Sequence, residues 1–189
     1  MSRCPSVLLA ALLALGACAK AAVLAGPPKL RCADYHPLAV GNRWTYAGTV
    51  MGQPVEKTVT ITQKRGDYFA DDAGALLKID SQGLRDLSRY LLKEPIERGK
   101  TWTAVVSLSS TERFEITEVG ATAQTPAGTF NDCVRVRASS PMGPERMLAA
   151  EWTFAPNVGI VSIRTSAAVG GREIPQTALE LKSYELAKP

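Results

Sequence analysis

Val55-Glu56-Lys57-Thr58-Val59-Thr60-Ile61-Thr62 sets the fold class of this chain. Val55, Lys57, Val59 and Ile61 fall on one face, and Glu56, Thr58, Thr60 and Thr62 on the other. Period two in a run rich in β-branched residues is the pattern of a strand with one face buried. Before it, Met51-Gly52-Gln53-Pro54 reads as a hairpin loop, and Asn42-Arg43-Trp44-Thr45-Tyr46-Ala47 as the strand leading into that loop. After it, Lys64-Arg65-Gly66-Asp67 is a turn and 68–70 a short strand. The alternation continues, with strands expected at 75–79, 83–92, 102–108, 113–119, 130–138, 146–154, 160–168 and 174–186.

Within 83–92, the spacing Leu84, Leu87, Leu91 also fits a helical face, but turn signals close on both sides favour a strand. Turn signals recur every 8 to 15 residues, and no long amphipathic helix interrupts them. That spacing predicts consecutive antiparallel strands. The expectation is an all-β single domain over 34–187, built as a curved antiparallel sheet: a meander, half-barrel or open barrel. A faint repetition accompanies it. Val40-Gly41-Asn42-Arg43-Trp44-Thr45 and Glu97-Arg98-Gly99-Lys100-Thr101-Trp102-Thr103 both run from a glycine into Trp-Thr, as two similar turn-to-strand transitions would.

The amino end is of another kind. Met1-Ser2-Arg3 carries a charge, Val7 to Leu15 is an apolar run of Val, Leu and Ala, and Leu15-Gly16-Ala17-Cys18 closes it with small residues before a cysteine. This is the order of an export signal. The run falls well short of the ~20 apolar residues a membrane-spanning helix needs. Leu15-Gly16-Ala17-Cys18 resembles the bacterial lipobox. The resemblance implies a signal peptide over 1–17, cleavage before Cys18 and lipid on its sulfur. It also implies sorting to the outer membrane, since Ala19 rather than Asp follows the cysteine. Ordinary secretory cleavage near Ala17-Cys18-Ala19 or Ala19-Lys20-Ala21, leaving a secreted or soluble periplasmic protein, is the alternative. Residues 18–33 then read as a tether, which Pro27-Pro28 keeps extended.

Cleavage before Cys18 leaves 172 of the 189 residues, enough for one core, and lowers the formal net charge from +4 to +3 by removing Arg3. Basic and acidic residues alternate, and no concentrated basic surface is encoded, so no nucleic acid partner is expected. Of the four cysteines, Cys4 leaves with the signal and Cys18 takes the lipid. Cys32 and Cys133 remain, in an oxidising compartment, and a disulfide between them is the expectation. Closing a loop of that size would contribute ~4.7 kcal/mol in the chain-entropy model. The alternative is two thiols, with Cys133 packed as a small apolar residue.

Little chemistry is encoded. His36 is the sole histidine, and no serine sits in a Gly-x-Ser-x-Gly turn. Asp71-Asp72 with Gly74 reads as a solvated turn, and Val169-Gly170-Gly171-Arg172 lacks the Lys-Ser/Thr of a phosphate loop. Two distant cysteines and one histidine make no metal cluster, so neither metal nor cofactor is expected. Trp44, Trp102 and Trp152, with Tyr46 and Phe154, are candidates for core packing, which leads, or for contact with a ligand.

Three segments together resemble a broad group of exported bacterial proteins of unknown function, many of them lipoproteins. They are Tyr35 to Tyr46, Thr125 to Val136 and Trp152 to Val161. The resemblance implies a curved antiparallel sheet or half-barrel and assigns no catalytic residue or ligand. The functional expectation is a non-enzymatic envelope lipoprotein, held at the membrane by its lipid. It would bind a hydrophobic ligand or an envelope protein through its curved sheet. The alternatives are a structural or accessory subunit of a cell-surface assembly, or a carboxylate-based hydrolase.

Overall fold

The computed structural model describes residues 29–107 and 110–187. The export signal, Cys18 and most of the tether lie outside the described residues.

The alternating face of Val55, Val59 and Ile61 is the inward face of a long strand, as expected. Twelve strands follow one another: β1 (Arg43–Val50), β2 (Gln53–Arg65), β3 (Tyr68–Asp71), β4 (Leu76–Asp80), β5 (Gly83–Arg85), β6 (Tyr90–Lys93), β7 (Thr101–Ser107), β8 (Ser110–Thr125), β9 (Gly128–Pro141), β10 (Arg146–Ala155), β11 (Gly159–Val169) and β12 (Arg172–Glu185). A one-turn helix, α1 (Cys32–Tyr35), precedes them, its Asp34 carboxylate accepting from the Arg31 amide at 2.7 Å.

All twelve strands join in one antiparallel sheet, ordered β6-β5-β4-β3-β2-β1-β12-β11-β10-β9-β8-β7. It is two six-stranded meanders, β1–β6 and β7–β12, sharing the β1–β12 ladder. That ladder is tight at Gly48, where a Cβ would sit 1.9 Å from the Ala178 carbonyl oxygen. The outermost strands, β6 and β7, come back to face each other, so the sheet is a nearly closed barrel.

Three register shifts on the β8–β9 ladder bend β8 sharply. The bend lets one strand serve both halves of the core. Phe114 and Ile116 pack with Trp102, Val134, Val136, Phe154, Leu84 and Leu92. Ala121 and Ala123 pack with Trp44, Tyr46, Ile61, Cys133, Val161 and Leu181. Leu38 touches both clusters.

Two expectations are corrected. The segment 83–92 is neither one strand nor a helix. Asp86 folds it into a turn by accepting from the amides of Ser88 and Arg89, both at 2.8 Å, and this splits β5 from β6. Cys32 and Cys133 do not form a disulfide; both are free, buried thiols. They lie in different core clusters, Cys32 with its sulfur 3.5 Å from the Leu92 carbonyl and Cys133 3.4 Å from that of Phe130. A bridge would require their Cα atoms within about 7 Å. Cys133 instead takes the small-apolar role left open by the sequence.

The barrel has two unlike ends. One carries the hairpin tips β1–β2, β7–β8, β9–β10 and β11–β12, with the β5–β6 turn brought beside β8 by the Arg89–Glu112 bridge. The other carries the N-terminal segment. There Asp34 accepts from the Asn157 amide, the Cys32 amide donates to Glu94 at 2.8 Å, and Lys29 pairs with Glu97 at 2.8 Å. The chain therefore reaches the domain at the end opposite the hairpin tips.

Candidate functional site

The aromatic candidates are largely core. Trp44 is buried and its indole donates to the Val158 carbonyl at 2.7 Å; the Tyr46 hydroxyl donates to the Ile160 carbonyl at 2.9 Å. Phe154 is fully buried. Trp102 stacks on Phe114 at 5.3 Å, and Phe114 on the half-buried Trp152 at 6.3 Å. This stack fills the barrel interior with the chain's own side chains.

The polar candidates lie in the core or in turns. His36 is buried on Trp44, and burial pushes its pKa down to about 4, so the ring is neutral. Burial, reinforced by the Glu94 carboxylate, pushes the Cys32 thiol up to about 12, and burial raises that of Cys133. Neither is a thiolate at neutral pH. Asp71 and Asp72 are turn acceptors, Asp71 for the Ala75 amide at 2.7 Å and Asp72 for the Thr60 amide at 3.0 Å. Gly170 and Gly171 form the β11–β12 tip at positive φ. Among the described residues no cluster of three or more His, Cys, Asp or Glu side chains could hold a metal, and no helix is long and apolar enough to cross a membrane.

A groove of about 370 Å³ crosses the outer face of β9–β12, with Arg137 and Arg164 in its walls. Its charged residues alternate in sign across the strands. Glu115, Arg137, Glu151 and Arg164 are successive register partners across β8–β11, and Arg164 pairs with Glu180 at 3.3 Å. Alternating charges along such a ladder favour its register and keep the outer face polar.

What stands out is the hairpin end. Eleven large apolar residues are exposed among the described residues, and eight of them gather here: Val50, Met51, Leu87, Val105, Met142, Met147, Val169 and Ile174. Four sit in hairpin turns or just before them, at Met51-Gly52, Leu87, Met142-Gly143 and Val169-Gly170. Turn positions are normally polar, so methionine and valine there are the sequence signal of this rim. Their concentration at one end sets this rim apart from the rest of the surface.

A seam between β6 and β7 runs along the barrel wall toward this rim. No backbone ladder joins β6 to β7 among the described residues. Side chains close it instead. The Trp102 indole donates to the Tyr90 carbonyl at 2.9 Å, and the Arg89 guanidinium reaches both Glu112 oxygens at 2.6 Å.

No protein-family model matches the chain, and no curated protein matches it. Two solved structures are similar to it. One is described as a "putative lipoprotein" of Parabacteroides distasonis ATCC 8503, at 12% identity and a TM-score of 0.42, over 82% of this chain and 100% of that one. The other is a "putative exported protein with YmcC-like fold" of Bacteroides fragilis NCTC 9343, at 17% identity and a TM-score of 0.45, over the same shares.

Proposed function

We propose that this chain is a non-enzymatic envelope module, acylated at Cys18 and held at the periplasmic side of a bacterial outer membrane, that docks an envelope protein through its hairpin rim. The observation that carries the reading is the gathering of exposed apolar side chains at the end opposite the N-terminal segment. A lipid on Cys18 would fix the N-terminal end at the bilayer. Three acyl chains hold firmly where one alone is reversible. The apolar rim then points away from that bilayer, toward the periplasm. The filled interior favours a protein partner over a hydrophobic cargo, because the stacked Trp102, Phe114 and Trp152 occupy the space a cargo would need.

Photo-cross-linking in intact bacteria tests this. A cross-linking residue at position 142, on the rim, should give a discrete protein adduct, lost when Met51 and Ile174 are both replaced by serine. The same residue at position 81, in the β4–β5 turn at the opposite end, should not. Adducts from position 81 alone would contradict the reading.

A further inference from the structure

The faint repetition in the sequence is structural. Gly41 and Gly99 both adopt positive φ, and each lies three residues before a core tryptophan, Trp44 and Trp102. The Gly41 amide donates to the Ile61 carbonyl at 2.8 Å and the Ile61 amide to the Asn42 carbonyl at 2.9 Å. The Gly99 amide donates to the Ile116 carbonyl at 2.8 Å and the Ile116 amide to the Lys100 carbonyl at 2.9 Å. β1 and β7 are therefore equivalent starts of two six-stranded halves. β1–β2 corresponds to β7–β8, and the β12–β1 junction to the β6–β7 junction.

The two junctions differ. At the first, β12 pairs with β1 along its whole length, from Arg43↔Glu185 to Val50↔Thr177. At the second, the four-residue β6 makes no ladder with β7. The Trp102 indole plugs the lower seam at Tyr90, and above it no strand pairs with the outer edge of β7 from Thr103 onward among the described residues. Its sequence, Thr101-Trp102-Thr103-Ala104-Val105-Val106-Ser107, has no charge and no proline, the usual guards of a free edge. Val105 is 73% exposed beside it.

We propose that the free edge of β7 receives an extended strand of a protein partner, running antiparallel to β7 in the place that β12 occupies on β1. The free backbone donors and acceptors require an extended backbone as occupant. Ala104 is small where its counterpart Tyr46 is large, but its register partner Glu112 is bridged there by Arg89, so recognition rests on the backbone of the incoming strand rather than on an inward side chain. A second copy of this chain fits less well. Antiparallel edge-to-edge pairing would point the two N-terminal ends in opposite directions, which two chains acylated in one membrane do not allow. This inference rests on the envelope-module reading and deepens it by naming the edge and the kind of partner.

The probe is a synthetic peptide copying β12 from Thr177 to Glu185, added to the purified full chain and followed by amide hydrogen exchange. Exchange of β7 amides from Thr103 onward should slow about tenfold or more, with no change on β1. Val105→Lys should abolish the effect without unfolding the chain, and a peptide with proline in place of its two leucines should have none. No protection at millimolar peptide, or protection elsewhere, would overturn the proposal. So would protection of β7 without peptide on dimerisation, which would assign the edge to a second copy. The readout lies on β7 alone, so its failure leaves the rim cross-links of the broader reading to stand or fall separately.

Discussion

His36 lies flat against Trp44, ring centroids 5.2 Å apart and planes 17° apart, and its Nδ1 has no hydrogen-bond partner among the described residues. Gly159 closes over both rings. The pair joins the N-terminal segment to β1 and to the β10–β11 turn, so its state reports on the end of the barrel that the tether reaches.

This burial gives the fold a pH dependence. The imidazole is neutral in the folded state with a pKa near 4, against an ordinary value of 6.5. The unfolded chain therefore binds a proton first, and stability rises with pH across that interval. Full stability is expected above pH 6.5, declining toward pH 4 by an amount on the order of 3 kcal/mol. Asp80 and Asp86 are held below the usual carboxylate value by hydrogen bonds that outweigh burial, so their contribution is lost at still lower pH. Urea denaturation from pH 4 to 7 checks this, and His36→Leu should flatten the slope.

Gly159→Ala should destabilise the domain. Its φ is +118°, and an added Cβ would lie 2.8 Å from His36 Nδ1 and 3.1 Å from Trp44 Nε1. Strain and overpacking together predict a loss of about 2–4 kcal/mol. Gly52→Ala, at a positive φ but with nothing within 4 Å, isolates the backbone share. Thermal denaturation of the two variants separates the terms.

Cys32 and Cys133 should both alkylate after unfolding without any reductant, and resist thiol reagents in the native state. A melting temperature unchanged by reductant, read beside mass spectrometry of the alkylated chain, is the expected result. A reductant-dependent fall of several degrees would restore the disulfide.

The seam should be the weakest part of the barrel. Trp102→Phe keeps the stack on Phe114 but removes the bond to Tyr90, at a cost of about 1–2 kcal/mol. Glu112→Gln weakens the Arg89 bridge by about 1 kcal/mol, since both side chains are partly solvated. Hydrogen exchange should quicken on β6 in both variants while the β1–β12 ladder stays protected.

The strands were legible because alternation is a local signal. Val55 to Thr62 announces β2 without reference to any other segment. The break at Asp86 was not, because the leucines flanking it keep a helix-like spacing while the aspartate caps a turn. Pairing the cysteines failed for a different reason. Compartment and parity suggested a bridge, but which core cluster each sulfur joins depends on the bend in β8, set by register shifts that no local pattern reveals. The rim is not legible in the sequence, because Met51 and Met142 stand beside glycines and pass as ordinary turn residues. Only the register shows that these turns share one end. The Gly-to-Trp repetition was visible from the outset, yet its meaning lay in hydrogen bonds to Ile61 and Ile116, distant in sequence.

Native mass spectrometry of the full chain released from bacterial membranes decides whether Cys18 carries lipid and whether the barrel holds a cargo. One species is expected, the polypeptide from Cys18 onward carrying covalent acyl groups and no other bound lipid. A chain without acyl mass, or one that sheds an apolar ligand on activation, would contradict the account.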